Sequence, residues 1–218
     1  WGIYLYGDYA QILNNELVNN SYEGIYIDTS YDATIQGNNI SDNQEYGIYG
    51  YDVTALSILD NVIGWNYDSG IYIYSSSGYT SDHVIQGNNI TYNVQGCTSG
   101  CSGAGGIELE GEDNCIMQNN DVSYNNYNGI SLYDSYDMQI ISNDVIGNNH
   151  FGIRLASSDT ITVDGNTLIN NTDVGLRINS DNVVITDNTI EGNGDYGDSS
   201  FDEGIYQDYG EGNYFNGN

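Results

Sequence analysis

Arg154 and Arg177 are the only Lys or Arg residues in a chain with 31 Asp and Glu. They stand 23 residues apart (177 − 154) in a sequence that repeats about every 23 residues, so they occupy one outward column of adjacent repeats. At about 5 Å two such cations repel by roughly 1 to 3 kcal/mol, depending on the local dielectric. An anion is therefore expected beside them: an acid of the same molecule such as Glu110 or Asp208, one from a neighbouring molecule, or a uronate of a bound polysaccharide. A second group faces inward, where His83 and Cys115 share a column with Ala10, Ala33, Leu56, Met138, Ile161 and Val183. His, Cys and Met in succession suggest a soft-metal site. The competing reading is ordinary core packing, because buried Cys and Met are common and ligands drawn from one column give poor geometry.

Asp8, Asp32, Asp82, Asp113, Asp137, Asp159 and Asp181 recur at the turn six or seven positions before a repeated Asn. Stacked carboxylates repel unless they cap backbone amides or share a cation, which makes calcium the candidate ion. No DxDxDG-type loop supports calcium, and turn-forming Asp is the alternative. The cofactor expectation is thus none, with calcium as the exception and the metal identity open.

The outward column that holds the arginines reads Tyr4, Tyr26, Tyr49, Tyr72, Glu108, Ser131, Arg154, Arg177, Tyr206. The next outward column reads Tyr6, Asp28, Tyr51, Tyr74, Glu110, Tyr133, Ala156, Asn179, Asp208. A tyrosine wall on a sheet is explained by strand propensity and cross-strand stacking alone. It is equally suited to stacking on sugars or to covering by another subunit.

The elements that position these residues follow from the repeat. Its copies open at Gly2, Gly24, Gly47, Gly70, Gly106, Gly129, Gly152, Gly175 and Gly204, each followed by Ile or once by Leu. A column of Asn15, Asn38, Asn61, Asn88, Asn120, Asn143, Asn166, Asn188 and Asn213 is followed five residues on by Asn20, Asn43, Asn66, Asn93, Asn125, Asn148, Asn171, Asn193 and Asn218. An apolar residue sits between the columns each time, from Leu17 to Phe215, and another three residues before the first Asn, failing only at Gly210. Apolar residues two apart in short runs broken by Gly and Asn are strands facing inward on alternate residues. A repeat of this length buries its apolar face only by stacking on copies of itself. The expected fold is all-β, a single-stranded parallel β-helix of about nine coils and on the order of 40 Å long. Residues 1–218 form one domain, with loop insertions near 75–81, 95–105 and 194–203. The latter two leave at the same corner, and Asp202 and Glu203 in the last could approach the arginines. The stacked Asn residues suit tight turns and amide ladders.

A net charge of −29 without a basic groove excludes nucleic acid as a partner. It also argues against anionic membrane surfaces, and no apolar run is long enough to span a bilayer. The chain begins at Trp1 with neither Met nor a signal peptide, which reads as a mature or excised segment. Cys97 and Cys101 flank a short Gly- and Ser-containing loop that could close as a disulfide in an oxidising compartment. Asn19, Asn39, Asn89 and Asn170 are Asn-x-Ser/Thr acceptors fitting a glycosylated surface.

The Gly-Ile-x-Leu opening and the Ile-x-x-Asn-x-Ile-x-x-Asn segment, as in IQGNNISDN from Ile35, resemble right-handed parallel β-helix repeats. These occur in periplasmic copper-site maturation proteins of the NosD type and in carbohydrate-binding and sugar-hydrolase β-helices. The resemblance covers the whole chain. It implies the fold, while the same repeat serves lyases, hydrolases, epimerases, phage spikes and surface proteins. An enzyme of this fold would resemble pectate lyases or polygalacturonases, with clustered Asp and an Arg or Lys; this chain has no Lys.

The first coil carries its full apolar set without a polar cap, so its open end should be covered. The main expectation is therefore an extracellular or cell-surface structural protein that pairs with copies of itself, end to end or through the tyrosine face, and is non-catalytic. The alternative is a polysaccharide-binding or polysaccharide-cleaving protein that uses Tyr4, Tyr6, Tyr26, Tyr49, Tyr51, Tyr72, Tyr74, Tyr133, Arg154 and Arg177. A groove with convergent carboxylates would favour the alternative, and a flat, covered tyrosine face the main reading.

Overall fold

In the computed structural model the chain is a parallel β-solenoid, described here for residues 1–76, 81–96, 101, 103–194 and 204–218. Each turn gives one short strand to each of three parallel sheets. The first sheet runs from Ile3–Leu5 to Ile205–Tyr209 and the second from Gln11–Leu13 to Tyr214–Asn216, with nine strands each. The third runs from Glu16–Val18 to Thr189–Glu191 and has eight. Eight turns are complete, and the ninth contributes two strands rather than a whole coil.

Ile fills the inner face because a β-branched side chain packs well on a pleated, half-buried surface. Ile25 and Ile27, Ile48, and Ile71 and Ile73 of successive first-sheet strands are fully buried. Gly precedes these strands because two backbones meet there. A Cβ on Gly47 would lie 2.5 Å from the carbonyl oxygen of Gly70 and 2.7 Å from Ile63 Cγ2. The corners are left-handed, and Asn14, Asp42, Asp60, Asn119 and Asp187 all have φ between 52° and 56°.

The asparagines form buried ladders with one direction. The Oδ1 of Asn88 accepts from both the backbone N–H and Nδ2 of Asn61, at 2.9 and 3.0 Å. Asn88 in turn donates in the same way to Asn120 and sends Nδ2 to the carbonyl of Ile58. Each amide thus satisfies the polar backbone of a corner that water cannot reach.

Three details depart from the sequence reading, all in the ninth turn. Asn218 ends the first ladder, since it accepts from Asn188. Asn213 belongs to the inward column of His83 and accepts from the N–H of Val183. Phe215 pairs with Ile185 and so fills the position that Gly210 seemed to leave empty. In the same turn the register slips by one residue between Ile178 and Asn179, where Asn179 pairs with Tyr209 and Asp208 bulges out.

Candidate functional site

The first sheet places the outward columns as its register requires. Tyr4, Tyr26, Tyr49, Tyr72, Glu108, Ser131, Arg154 and Arg177 are in-register neighbours across eight strands. Beside them run Asp28, Tyr51, Tyr74, Glu110 and Tyr133. The rings lean on one another: Tyr4 on Tyr26 and Tyr26 on Tyr49 at 5.2 Å, Tyr49 on Tyr72 at 5.3 Å, and Tyr51 on Tyr74 at 5.9 Å. Each ring is therefore partly covered by its neighbour, and the Tyr4 and Tyr72 hydroxyls donate to Asp28 and Glu110. Tyr6, just past the strand that carries Tyr4, is 72 % exposed.

The wall stops at Glu108, and there the surface is cleft. Gly103, Glu108, Glu110, Tyr133 and Arg154 line a cavity of about 330 Å³. Tyr46, Asp68, Ser69, Cys101, Gly103 and Glu108 line a second of about 320 Å³. A third of about 320 Å³ begins at Glu110 and reaches Asp113, Asp134 and Tyr136. Glu108 and Glu110 are shared, so the three clefts make one track across the sheet.

The groups in the track are electrically unusual. Burial pushes the Glu108 carboxyl up to about 7; the Glu110 and Asp68 charges add to this, while the Ser69 hydroxyl and Arg154 oppose it. Ser69 Oγ donates to Glu108 at 2.7 Å, and Tyr72 donates its phenolic hydrogen to Glu110 at 2.9 Å. Burial, then the Glu110 contact, raises Tyr72 far above an ordinary phenol, and burial raises Tyr49 to about 12. The Tyr49 and Tyr72 phenols therefore keep their hydrogens at physiological pH.

The two arginines differ. Arg177 meets Asp208 through Nη2 at 2.6 Å and Nε at 2.7 Å, and lies 5.0 Å above the Phe151 ring. Arg154 donates to Ser131 Oγ at 3.2 Å, and among the described residues no carboxylate is within ion-pair distance of it. Burial, then Arg177, lowers its affinity for its proton. Nearby, His150 stacks on Tyr127 at 4.2 Å and bridges Asn128 and Asp173 at 2.9 and 3.1 Å.

The seven turn aspartates do not form one column. Asp32, Asp82 and Asp137 take the left-handed corner position, with φ of 55°, 51° and 52°. Asp8, Asp159 and Asp181 lie one residue earlier and cap the N–H groups of Tyr31, Asp181 and Glu211. Asp113 pairs with Tyr136 at that same corner. Three of the seven carboxylates are thus used by the backbone, and among the described residues the three-ligand grouping lies elsewhere, at His83, Glu112 and Cys115. Cys101 is disulfide-bonded and Cys115 is a free buried thiol. Cys97, Asp202 and Glu203 lie outside the described residues. Asn19, Asn39, Asn89 and Asn170 are all exposed, and Asn39 and Asn89 both register with Val62 in the third sheet. Glu108 and Ser69 were not singled out by sequence reasoning, and Glu110 only as a candidate partner of the arginines; the signal was the break from Tyr to Glu in both outward columns at GIELE.

The right handed beta helix region family matches residues 79–218, well over half of the chain. The chain belongs to the right-handed β-helix family. The family described as periplasmic copper-binding protein (NosD) matches residues 1–103 of this β-helix. No curated protein matches its sequence. Among solved structures, the periplasmic alginate epimerase AlgG is 19% identical with a TM-score of 0.67, covering 94% of this chain and 50% of that one. The Azotobacter vinelandii mannuronan C-5 epimerase AlgE4 A-module is 17% identical with a TM-score of 0.65, over 89% and 59%. A glycoside hydrolase is 13% identical with a TM-score of 0.68, over 90% and 38%. At these identities the shared feature is the β-helix itself. The chain spans about half the length of the AlgG structure.

Proposed function

We propose that this β-helix binds a polysaccharide across its tyrosine face and carries acid–base chemistry to it at Glu108. The observation that carries the reading is the cleft in which Glu108, poised at about 7, lies with Glu110 and with Arg154, which has no ion-pair partner among the described residues. A carboxyl titrating near neutrality both gives and takes a proton readily, as a general acid or base must. Tyrosine hydroxyls other than those of Tyr4 and Tyr72, which donate to Asp28 and Glu110, supply donors for sugar oxygens, and Arg154 supplies a cation for a uronate carboxylate. Two of the three structures compared are named as alginate or mannuronan epimerases and the third as a glycoside hydrolase, which weighs toward polysaccharide. A cleft with convergent carboxylates weighs the same way, against a flat face that serves only to join copies of the chain. The disulfide at Cys101 and the periplasmic naming of NosD and AlgG favour a place outside the cytoplasm. Among the described residues no helix is long and apolar enough to cross a membrane.

The test is calorimetric titration with a panel of uronate-bearing and neutral polysaccharides, followed by product analysis of any that binds. Binding that weakens in Tyr49→Ala and Arg154→Gln, with any turnover lost in Glu108→Gln, is expected. A panel in which nothing binds, or binding that ignores Tyr49 and Arg154, overturns the reading.

A further inference from the structure

Ionisable side chains enter the core of the solenoid where the fourth and fifth turns meet. His83, Glu112 and Cys115 are all fully buried there, and one ligand atom from each lies within 4.8 Å of the other two. Each replaces something blander. The column of His83 and Cys115 elsewhere holds Ala33, Leu56, Met138, Ile161 and Val183. The corner of Glu112 continues as Ser135, Ser158 and Ser180, each hydroxyl accepting the N–H of the turn before. At Glu112 that serine ladder gives way to a side chain long enough to reach the core.

The arrangement is not satisfied by the protein alone. The Leu56 N–H donates to His83 Nδ1 at 3.0 Å, which makes the ring neutral with its proton on Nε2. Nε2 then lies 3.2 Å from a Glu112 oxygen without forming a hydrogen bond, and neither Nε2 nor either Glu112 oxygen has a hydrogen-bond partner. An ionised carboxylate with no exposure and no good donor is among the costliest groups a core can hold. Beside it the Cys115 thiol, pushed up by burial and by the Glu112 charge, gives its hydrogen to the Asp113 carbonyl at 3.3 Å.

We propose that His83 Nε2, a Glu112 carboxylate oxygen and Cys115 Sγ hold one divalent d-block cation of the zinc class inside the solenoid. A mixed nitrogen, oxygen and sulfur set suits such ions and not calcium or magnesium. The charges close: a 2+ ion with one carboxylate and one thiolate is neutral. The protons close as well. The thiol proton leaves to solvent, and the ring proton moves from Nε2 to Nδ1, where Leu56 gives up its hydrogen bond. One lost hydrogen bond is small against a set of metal–ligand bonds. A sealed site is loaded as the coils form, so the ion acts on folding rather than on the surface track.

The experiment is to unfold the full chain, refold it with Zn²⁺ or Co²⁺, dialyse, and measure bound metal. About one ion per chain is expected, with a thiolate-to-cobalt charge-transfer band for Co²⁺ and a displaced Leu56 amide resonance for Zn²⁺. Glu112→Gln and Cys115→Ser should each lower affinity by roughly tenfold or more. Refolded chain without metal, or Co²⁺ bound without the charge-transfer band, overturns the site. Where a variant fails to refold, the Leu56 resonance of the unaltered chain decides: unmoved by Zn²⁺, it leaves His83 and Glu112 as a buried pair and the proposal fails.

Discussion

Asp208 neutralises Arg177 because it is bulged out of the ladder. The strand Ile205–Tyr209 slips its register after Gln207, so Tyr209 takes the partner that the repeat would assign to Asp208. The freed carboxylate turns to the guanidinium at 2.6 Å, which is how a bulge re-aims a side chain. The same slip leaves Arg154, one strand back in register with Arg177, as the cation that still lacks a carboxylate among the described residues.

Removing the Asp208 charge should cost little stability. Arg177 is 34% exposed and Asp208 16%, so solvent screens the pair, and Asp208→Asn is expected to lower the unfolding free energy by about 0.5 to 1 kcal/mol. Urea melts at low and high salt check this, with the difference between the two proteins shrinking as salt rises.

Glu108 should give the protein a pH-dependent stability of defined sign. Its ordinary value is 4.5 and the folded value about 7, so the folded chain holds an extra proton between them. Stability is then fully present below about 4.5 and lost as pH rises through 7, by roughly 1 to 3 kcal/mol after allowance for the partial exposure of the carboxyl. Glu108→Gln should flatten this slope. Denaturant melts of both proteins from pH 4 to 8 measure it; parallel curves would remove the perturbed carboxyl.

Most of the fold was legible because one coil explains the next. Ile25, Ile48 and Ile71 recur in phase, and Asn38, Asn61 and Asn88 mark the same corner, so periodicity alone gives sheets, register and outward columns. The ninth turn escaped because Asn213 and Asn218 stand five residues apart, as the two Asn columns do, and so offered a false match to both ladders. The site was half legible. Arg154 and the tyrosines were visible as columns, but the importance of Glu108 comes from its burial under residues near Gly103, which a loop insertion supplies and no period predicts. Glu112 was hidden likewise, because its corner reads as a turn until its side chain is seen in the core.

The Asn ladder should fail most severely in its middle. Asn88→Ala removes the acceptor of two Asn61 donors and the donors to Ile58 and Asn120, all buried. About 3 to 5 kcal/mol of stability should go, since unpaired buried backbone groups remain. Asn15 is exposed and its contacts are part-buried, so Asn15→Ala should cost only about 1 kcal/mol. Equal losses in thermal or urea melts would show that the ladder is not what holds the corners.

Salt should separate Arg154 from the field of the whole protein. A uronate polymer approaching a chain of net charge −29 is repelled at long range, and that repulsion is screened within about 8 Å at physiological ionic strength. The contact with Arg154 is short and lies in a cleft, so it is screened less. Affinity for a uronate polysaccharide should therefore hold or rise as salt is raised from a few millimolar, the reverse of binding in a basic groove. Arg154→Gln should weaken that affinity about tenfold, near 1.4 kcal/mol, and leave a neutral glycan unaffected. Calorimetry across a salt series reads both effects. If affinity falls steeply with salt in Arg154→Gln as in the unaltered protein, the anion is held elsewhere, and the cleft beside Glu108 is not where the sugar carboxylate sits.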